Sequence, residues 1–191
     1  MDTILTPLLT KASKDKNIIV GFMDAAHLLE EACVGKVWSI ERVIVKSGSG
    51  RKRFNVLGFL ESTTNEVVEV SNSTYITSTQ IVEMLEKLRK KYGNKKKIYI
   101  ILDNARYQKC KLVIEKAAEL KINLVYLPPY SPNLNLIERL WKFLRKKCLC
   151  NKYHMNFKEF SESILDCLTK TSTEHKKVLE SWLSHKFEIF N

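Results

Sequence analysis

The fold is decided by a continuous apolar run that ends in an acid, Lys97-Ile-Tyr-Ile-Ile-Leu-Asp103. A second run of the same kind lies earlier in the chain, Asn17-Ile-Ile-Val-Gly-Phe-Met-Asp24. Unbroken apolar runs of this length are typical of strands that are buried on both faces of a sheet. Because ligands bind beyond the carboxyl ends of the strands in open α/β sheets, the two aspartates are predicted to mark a site.

The segments around these runs predict a mixed sheet with helices on both faces. Two strand-like runs at 54–61 and 66–70 are typical of a hairpin, and the stretch 37–45 is either a strand or an extended loop. Apolar residues at helical spacing predict helices over 78–92, over 111–120 and from Asn135 onward, with a short strand at 123–127. This order of elements resembles the ribonuclease H-like fold.

The length and composition fit one domain. The chain has 191 residues, of which 45% are hydrophobic and 28% charged, so it can bury a core without staples. We predict a loosely attached lead-in segment at 1–16, a ribonuclease H-like domain at 17–150 and a helical C-terminal extension of that domain at 151–191.

The charge balance predicts a polyanionic partner. The chain has 32 Lys and Arg against 21 Asp and Glu, a net charge of +11, which suits nucleic acid or an anionic membrane. No apolar run approaches the ~18 residues of a bilayer span, and the N-terminus lacks the layout of a signal peptide. We therefore expect a cytoplasmic, nucleoid-associated protein without a membrane partner. Three basic stretches are expected to contact DNA phosphates, at 51–53, 87–97 and 139–147.

The five cysteines are odd in number and have no repeated spacing, which favours reduced thiols. Cys148, Cys150 and His154 lack a second pair of ligands at the spacing of a zinc finger. A structural zinc site is therefore not predicted.

A third acid, Glu138, falls in the first turn of the helix that begins near Asn135. Three carboxylates in one cleft repel one another unless a divalent cation neutralises them, and oxygen ligands suit Mg²⁺ or Mn²⁺. Asp24, Asp103 and Glu138 are therefore candidate metal ligands and catalytic residues for two ions that clamp an in-line phosphoryl displacement.

Simpler explanations exist for the same residues. Asp103 with Asn104 is able to form an Asx turn, and an acid in a first helical turn is favoured by the helix dipole, which would account for Glu138. His27 is a further candidate near the metal, although a lone histidine is more often structural. Trp141 lies on an apolar helix face and is better explained as part of the core.

Two motifs give the chain a specific resemblance. Ile101-Leu-Asp-Asn-Ala-Arg-Tyr107 is followed by Leu127-Pro-Pro-Tyr-Ser-Pro-Asn-Leu-Asn-Leu-Ile-Glu-Arg-Leu-Trp141. Together they closely resemble the catalytic core of bacterial insertion-sequence transposases of the mariner superfamily, which carry an Asp, Asp, Glu metal site. The resemblance covers roughly residues 17 to 150. It implies that Asp24, Asp103 and Glu138 are the first, second and third catalytic acids.

The resemblance also implies an activity. A protein of this family nicks the ends of its element, joins a 3′-hydroxyl to target DNA, prefers to insert at the dinucleotide TA and works as a homodimer. Ala25, Gln108 and Leu136 stand where the family usually has a second acid, a histidine and a proline. Family members usually read their element ends with an N-terminal helix-turn-helix region, whereas only 1–16 precede the first predicted strand. Three interpretations of the chain remain open: an isolated catalytic domain, a split-frame product that works with a separate helix-turn-helix chain, and a truncated copy.

Two other function classes share these features. A ribonuclease H-like nuclease or junction resolvase would use the same three acids. A catalytically inactive remnant would keep the positive surface and bind DNA without turnover.

Overall fold

The structure, a computed structural model, describes residues 2–31, 33, 40, 44, 51–129 and 134–183. Its strands are β1 (Ile18–Leu29), β2 (Arg53–Glu61), β3 (Val67–Asn72), β4 (Lys97–Leu102) and β5 (Ile122–Tyr126). In the described residues they form one five-stranded sheet in the order β3-β2-β1-β4-β5. The first three strands pair antiparallel, whereas β4 and β5 join in parallel. This is the mixed sheet that the sequence predicts.

Helices cover both faces of this sheet, and each face has its own core. Successive side chains of a strand point to opposite faces, so Phe22 of β1 packs in one core and Met23 in the other. The Phe22 face carries α1 (Asp2–Lys14), α4 (Ile137–Leu144), α5 (Phe157–Thr169) and α6 (Lys176–Trp182), and the Met23 face carries α2 (Ser78–Tyr92) and α3 (Lys111–Glu119). None of the described helices is long and apolar enough to cross a membrane.

The strand β1 is longer than the sequence predicts. Its parallel pairing with β4 ends at Met23 opposite Leu102, but its antiparallel pairing with β2 continues from Asp24 opposite Gly58 to Leu29. Asp24 therefore lies just beyond the parallel part of the sheet because β4 ends there, and not because β1 ends there. The expected loop after Asp24 is instead five more residues of strand.

The lead-in segment also differs from its prediction. Residues 2–14 form α1, and its side chains Leu5, Leu9 and Ala12 are buried in the core against β1. These residues recur at the i, i+4, i+7 spacing of one helix face. The segment is part of the packed structure rather than loosely attached.

The helix α2 has the predicted bounds because its ends are marked locally. Thr77 Oγ1 accepts a hydrogen bond from the Thr79 N–H, and Gln80 Oε1 accepts one from the Thr77 N–H, so donors at the N-terminus are satisfied. Gly93 ends the helix at a φ of 74°, where a residue without Cβ is favoured. The predicted strand or loop at 37–45 lies outside the described residues except for positions 40 and 44.

Cys33 and Cys150 correct the prediction of reduced thiols. They form a disulfide between positions 117 residues apart, with Cα atoms separated by 4.4 Å. The backbone N–H of Asn151 also donates to the carbonyl of Cys33 at 2.8 Å. Sequence spacing does not reveal this pair, because Cys33, four residues after β1, and Cys150, directly after the helical segment Arg145–Leu149, meet only in the folded chain. Cys110, Cys148 and Cys167 are free.

Arg89 does not take the role predicted for it within the basic stretch at 87–97, which is expected to contact DNA. Its side chain is buried, with the residue 8% exposed. Lys87 and Lys91 make ion pairs with Glu69 and Glu66 of the neighbouring sheet edge. The guanidinium group of Arg89 donates to four backbone carbonyls, those of Gly93, Lys96, Leu120 and Lys121. Arg89 therefore holds the fold together, whereas Lys87 and Lys91 make partly exposed ion pairs that contribute little to stability.

Candidate active site

Asp24 and Asp103 lie side by side because of strand register. Both come directly after the last parallel pair of β1 and β4, Met23 opposite Leu102. Neighbouring strands are about 4.8 Å apart, so the two aspartates start from adjacent positions. Phe22 and Ile101, two residues before each aspartate, belong to the core under α4.

The third predicted acid, Glu138, belongs to the helix α4. It lies in the first turn of α4 and is half-buried. The same helix packs on β1 and β2 through its buried residues. Glu138 lies at the border between the apolar and basic faces of α4, with a buried Trp141 and an exposed Lys142 on either side of it.

Electrostatics link the three acids. The pKa of the Asp24 carboxyl is raised to about 7, first because burial disfavours its ionised form and then because the charges of Glu138 and Asp103 act on it. Hydrogen bonds from the backbone of Ala25 and the side chain of Trp141 oppose this rise of the pKa. Burial is therefore the main reason for the raised pKa of Asp24, and the two other acids are close enough to add to it.

This donor set fits a hard divalent cation. It consists of carboxylate oxygens, which hard divalent cations prefer. A bound cation would also offset the burial and the neighbouring charges of Glu138 and Asp103 that raise the pKa of Asp24. Within the part of the chain that the structure describes, no three histidine, cysteine or acidic side chains are grouped closely enough to form a ready-made metal site. The assignment of Asp24, Asp103 and Glu138 as metal ligands stays a prediction.

A family model described as DDE superfamily endonuclease matches residues 20–161. The chain belongs to the DDE superfamily of endonucleases. The predicted resemblance to transposases with an Asp, Asp, Glu site is thereby confirmed at the level of the family, as is the predicted class of enzyme.

Relatives of this DDE endonuclease come from bacteria. It is 30% identical over 122 residues to the insertion element IS630 uncharacterized 39 kDa protein of Shigella sonnei, across 58% of this chain and 33% of that protein. It is 39% identical over 46 residues to the uncharacterized protein y4pE/y4sA of Sinorhizobium fredii, across 24% of this chain and 32% of that protein. The matched parts span about a third of the length of these relatives.

Solved structures of Mos1 have a similar fold. The Mos1 mariner paired end complex with Mn superposes with a TM-score of 0.59 at 13% identity, covering 97% of this chain and 61% of that chain. The Mos1 transposase catalytic domain with Raltegravir and Mn gives a TM-score of 0.57 at 11% identity, covering 97% and 92%. At these identities the likeness shows the fold, and it confirms the predicted ribonuclease H-like mixed sheet.

The Asx turn predicted as a simpler explanation for Asp103 is present in the DDE endonuclease. Asp103 Oδ1 accepts a hydrogen bond from the Ala105 N–H at 3.1 Å. The Asn104 side-chain amide donates to the carbonyl of Leu127, which ties the end of β4 to the segment after β5. The turn is therefore compatible with Asp103 lying next to Asp24, because both aspartates follow the last parallel pair of β1 and β4.

Two aromatic residues interact with the acids, which the sequence does not predict. Trp141 is buried as predicted, but its indole Nε1–H also donates to Asp24 Oδ2 at 3.1 Å. Burial raises the pKa of Tyr107 to about 12, with further contributions from the charges of Asp24 and Asp103. For Trp141 a signal exists, because a buried indole N–H usually has a partner. The sequence offers no such signal for Tyr107.

His27 and Gln108 do not join the acids. His27 follows Asp24 by three residues in β1 and so faces the opposite side of the sheet, where its Nδ1 is hydrogen-bonded with Asn55 Oδ1 at 2.7 Å. Gln108 is fully buried, and its backbone carbonyl accepts a hydrogen bond from the Tyr126 hydroxyl at 3.0 Å. Both contacts are structural.

Proposed function

We propose that this DDE endonuclease is the catalytic domain of a DNA transposase that nicks the ends of an insertion element and joins a 3′-hydroxyl to target DNA. Asp24, Asp103 and Glu138 are proposed to bind two ions of Mg²⁺ or Mn²⁺. The observation that carries this proposal is the placement of Asp24 and Asp103 directly after the last parallel pair of β1 and β4, on the strands over which α4 packs with Glu138 in its first turn.

When bound, the two ions would activate the attacking oxygen and stabilise the leaving oxygen of an in-line displacement. The chain itself supplies the placement of the ligands. Asp24 lies in β1, which stays paired with β2 as far as Leu29. The Asx turn holds Asp103, and the first turn of α4 carries Glu138.

The comparisons support the partners in this proposal. A paired end complex with Mn is among the solved structures of similar fold, which favours an assembly of two copies on two element ends. Because the matched part spans only about a third of its curated relatives, we propose that recognition of the element ends comes from a helix-turn-helix unit outside these 191 residues. Such a DNA-bound enzyme would be associated with the nucleoid.

Product analysis tests the reaction. The chain is incubated with Mn²⁺, a supercoiled plasmid and a labelled duplex that carries a recessed 3′-hydroxyl. Labelled duplex joined to plasmid supports a transposase. Nicking without joining indicates the nuclease or resolvase alternative, and neither product with retained DNA binding indicates an inactive remnant.

The basic residues that best suit the DNA are Lys142 of α4 and Arg145, which directly follows this helix. Lys142 and Arg145 follow Glu138 at i+4 and i+7, so the three share one side of the helix, and both cations are exposed. By contrast, Lys97 is the first residue of β4, and Lys95 lies two residues before it. The six residues of this strand at ~3.3 Å each separate Lys97 from Asp103 by about 20 Å.

Replacing Lys142 and Arg145 together with Ala is expected to lower DNA affinity roughly tenfold or more at low salt. It should also flatten the salt slope by about 1.8, because each neutralised phosphate contributes about 0.9 to that slope. The weakening should be equal for a scrambled duplex, because phosphate contacts carry no base readout. Titration of labelled duplexes at several salt concentrations measures both quantities.

The matched control is Lys95→Ala with Lys97→Ala, which removes the same number of charges from the far end of β4. It should change affinity less than the α4 variant. Equal weakening in the two variants would contradict this DNA path and indicate binding through net charge alone.

A further inference from the structure

Trp141 joins α4 directly to the first predicted acid. Its indole Nε1–H donates to Asp24 Oδ2 at 3.1 Å, and it lies one helical turn after Glu138. Because Trp141 is only 4% exposed, water competes little for this bond. One contact therefore fixes the helix that carries Glu138 against the strand that carries Asp24.

Gly58 allows the indole to approach the sheet. It lies on β2 directly opposite Asp24 in the antiparallel pair. A Cβ atom at position 58 would lie 2.6 Å from Cη2 of Trp141 and 3.2 Å from Cδ1 of Ile137. The first distance is shorter than real contacts allow, so the height of α4 above the sheet depends on this glycine.

We infer that Trp141 is a positioning residue. Its packing against Gly58 and its hydrogen bond to Asp24 set the distance of α4 from the sheet and the rotation of this helix, and thereby the position of Glu138, the third predicted acid. The inference rests on the proposed function, since it concerns how the acids take up their ions. Groups that hydrogen-bond to a metal-ligating side chain orient it, and their removal typically costs about 10–100-fold in metal affinity.

Trp141→Phe tests the inference, because phenylalanine keeps an aromatic ring but removes the N–H donor. We expect its affinity for Mn²⁺ to fall about tenfold or more, while thermal melts show that the chain stays folded. Isothermal titration with MnCl₂ in the absence of DNA measures the affinity. The control is Trp182→Phe on α6, whose ring packs edge-on against Phe143, and its Mn²⁺ affinity should be unchanged.

Gly58→Ala approaches the same contact from the sheet. In the unmodified chain the added methyl group should push the indole away and lower both the melting temperature and the Mn²⁺ affinity. In a Trp141→Phe background, Gly58→Ala should cause a smaller loss of melting temperature and of Mn²⁺ affinity, because phenylalanine lacks the Cη2 atom that the methyl group meets. Such non-additivity is the signature of two groups in contact.

A spectroscopic measurement keeps the inference testable if Trp141→Phe does not fold. In the unmodified chain labelled with ¹⁵N, the indole N–H resonance of Trp141 is assigned by comparison with Trp38→Phe and Trp182→Phe. Adding Mg²⁺ should shift the Trp141 resonance and leave that of Trp182 in place.

Equal Mn²⁺ affinity of Trp141→Phe and the unmodified chain would overturn the inference while leaving the proposed function intact. An unmoved Trp141 resonance at saturating Mg²⁺, or an equal cost of Gly58→Ala in both backgrounds, would do the same. If the unmodified chain bound no Mn²⁺, the proposed function would fail and the inference with it.

Discussion

Asp103→Asn is expected to reduce DNA cleavage by about 10³-fold or more. The substitution keeps the size of the side chain, and the amide oxygen is still able to accept the Ala105 N–H bond, so the turn should survive. It removes a charge that the ions require. Because a metal ion contributes several kcal/mol to transition-state stabilisation and about 1.36 kcal/mol is a factor of ten, the reduction spans orders of magnitude. Plasmid nicking with Mn²⁺ measures it.

The matched control for this variant is Asp166→Asn. Asp166 is an exposed acid on α5 that pairs with Lys170, so the change in net charge is identical but lies outside the site. Both variants should bind DNA at least as well as the unmodified chain, because each lowers repulsion of the phosphates. Undiminished nicking by Asp103→Asn would contradict the assignment of the acids.

Arg89→Ala is expected to lower the free energy of unfolding by about 3 kcal/mol or more. Four backbone carbonyls lose their donor, and each buried group without a partner costs on the order of 1–3 kcal/mol, offset in part where water enters. Arg89→Lys should recover only part of this stability, because an ammonium group has fewer donors and no planar fork. Urea denaturation gives the values.

The control is Lys90→Ala, the exposed neighbour of Arg89 on α2, which should change stability by no more than about 0.5 kcal/mol. If Arg89→Ala were as stable as this control but bound DNA more weakly, Arg89 would be part of the DNA surface that its sequence context suggests. Its burial and its four carbonyl contacts argue for the structural role.

The parts of the fold that the sequence predicts are those with local signals. The bounds of α2 follow from the hydrogen-bonding side chains around Thr77 and from Gly93 at its end. The neighbouring positions of Asp24 and Asp103 follow from two apolar runs and the rule that parallel strand ends meet at one edge of a sheet. Each of these features depends on residues that are close in the chain or on a general rule of topology.

The parts that the sequence misses depend on distant partners. Arg89 looks like one more surface cation until the carbonyls of the α3–β5 turn enclose its guanidinium group. The Trp141 indole is assigned correctly to the core, but its hydrogen-bond partner Asp24 is 117 positions away. Cys33 and Cys150 are separated by the same distance in the chain. No periodicity or spacing encodes such pairs.

Asp24 and Asp103 differ in when their backbones become ordered. Asp24 lies inside a strand that pairs on to Leu29, so its conformational entropy is lost when the sheet folds. Asp103 lies beyond the last paired residue of β4, Leu102, and is held by a single turn. Under the proposed assignment, the backbone of Asp24 therefore loses its conformational freedom when the sheet folds, whereas the backbone of Asp103 keeps more freedom to adjust when an ion binds.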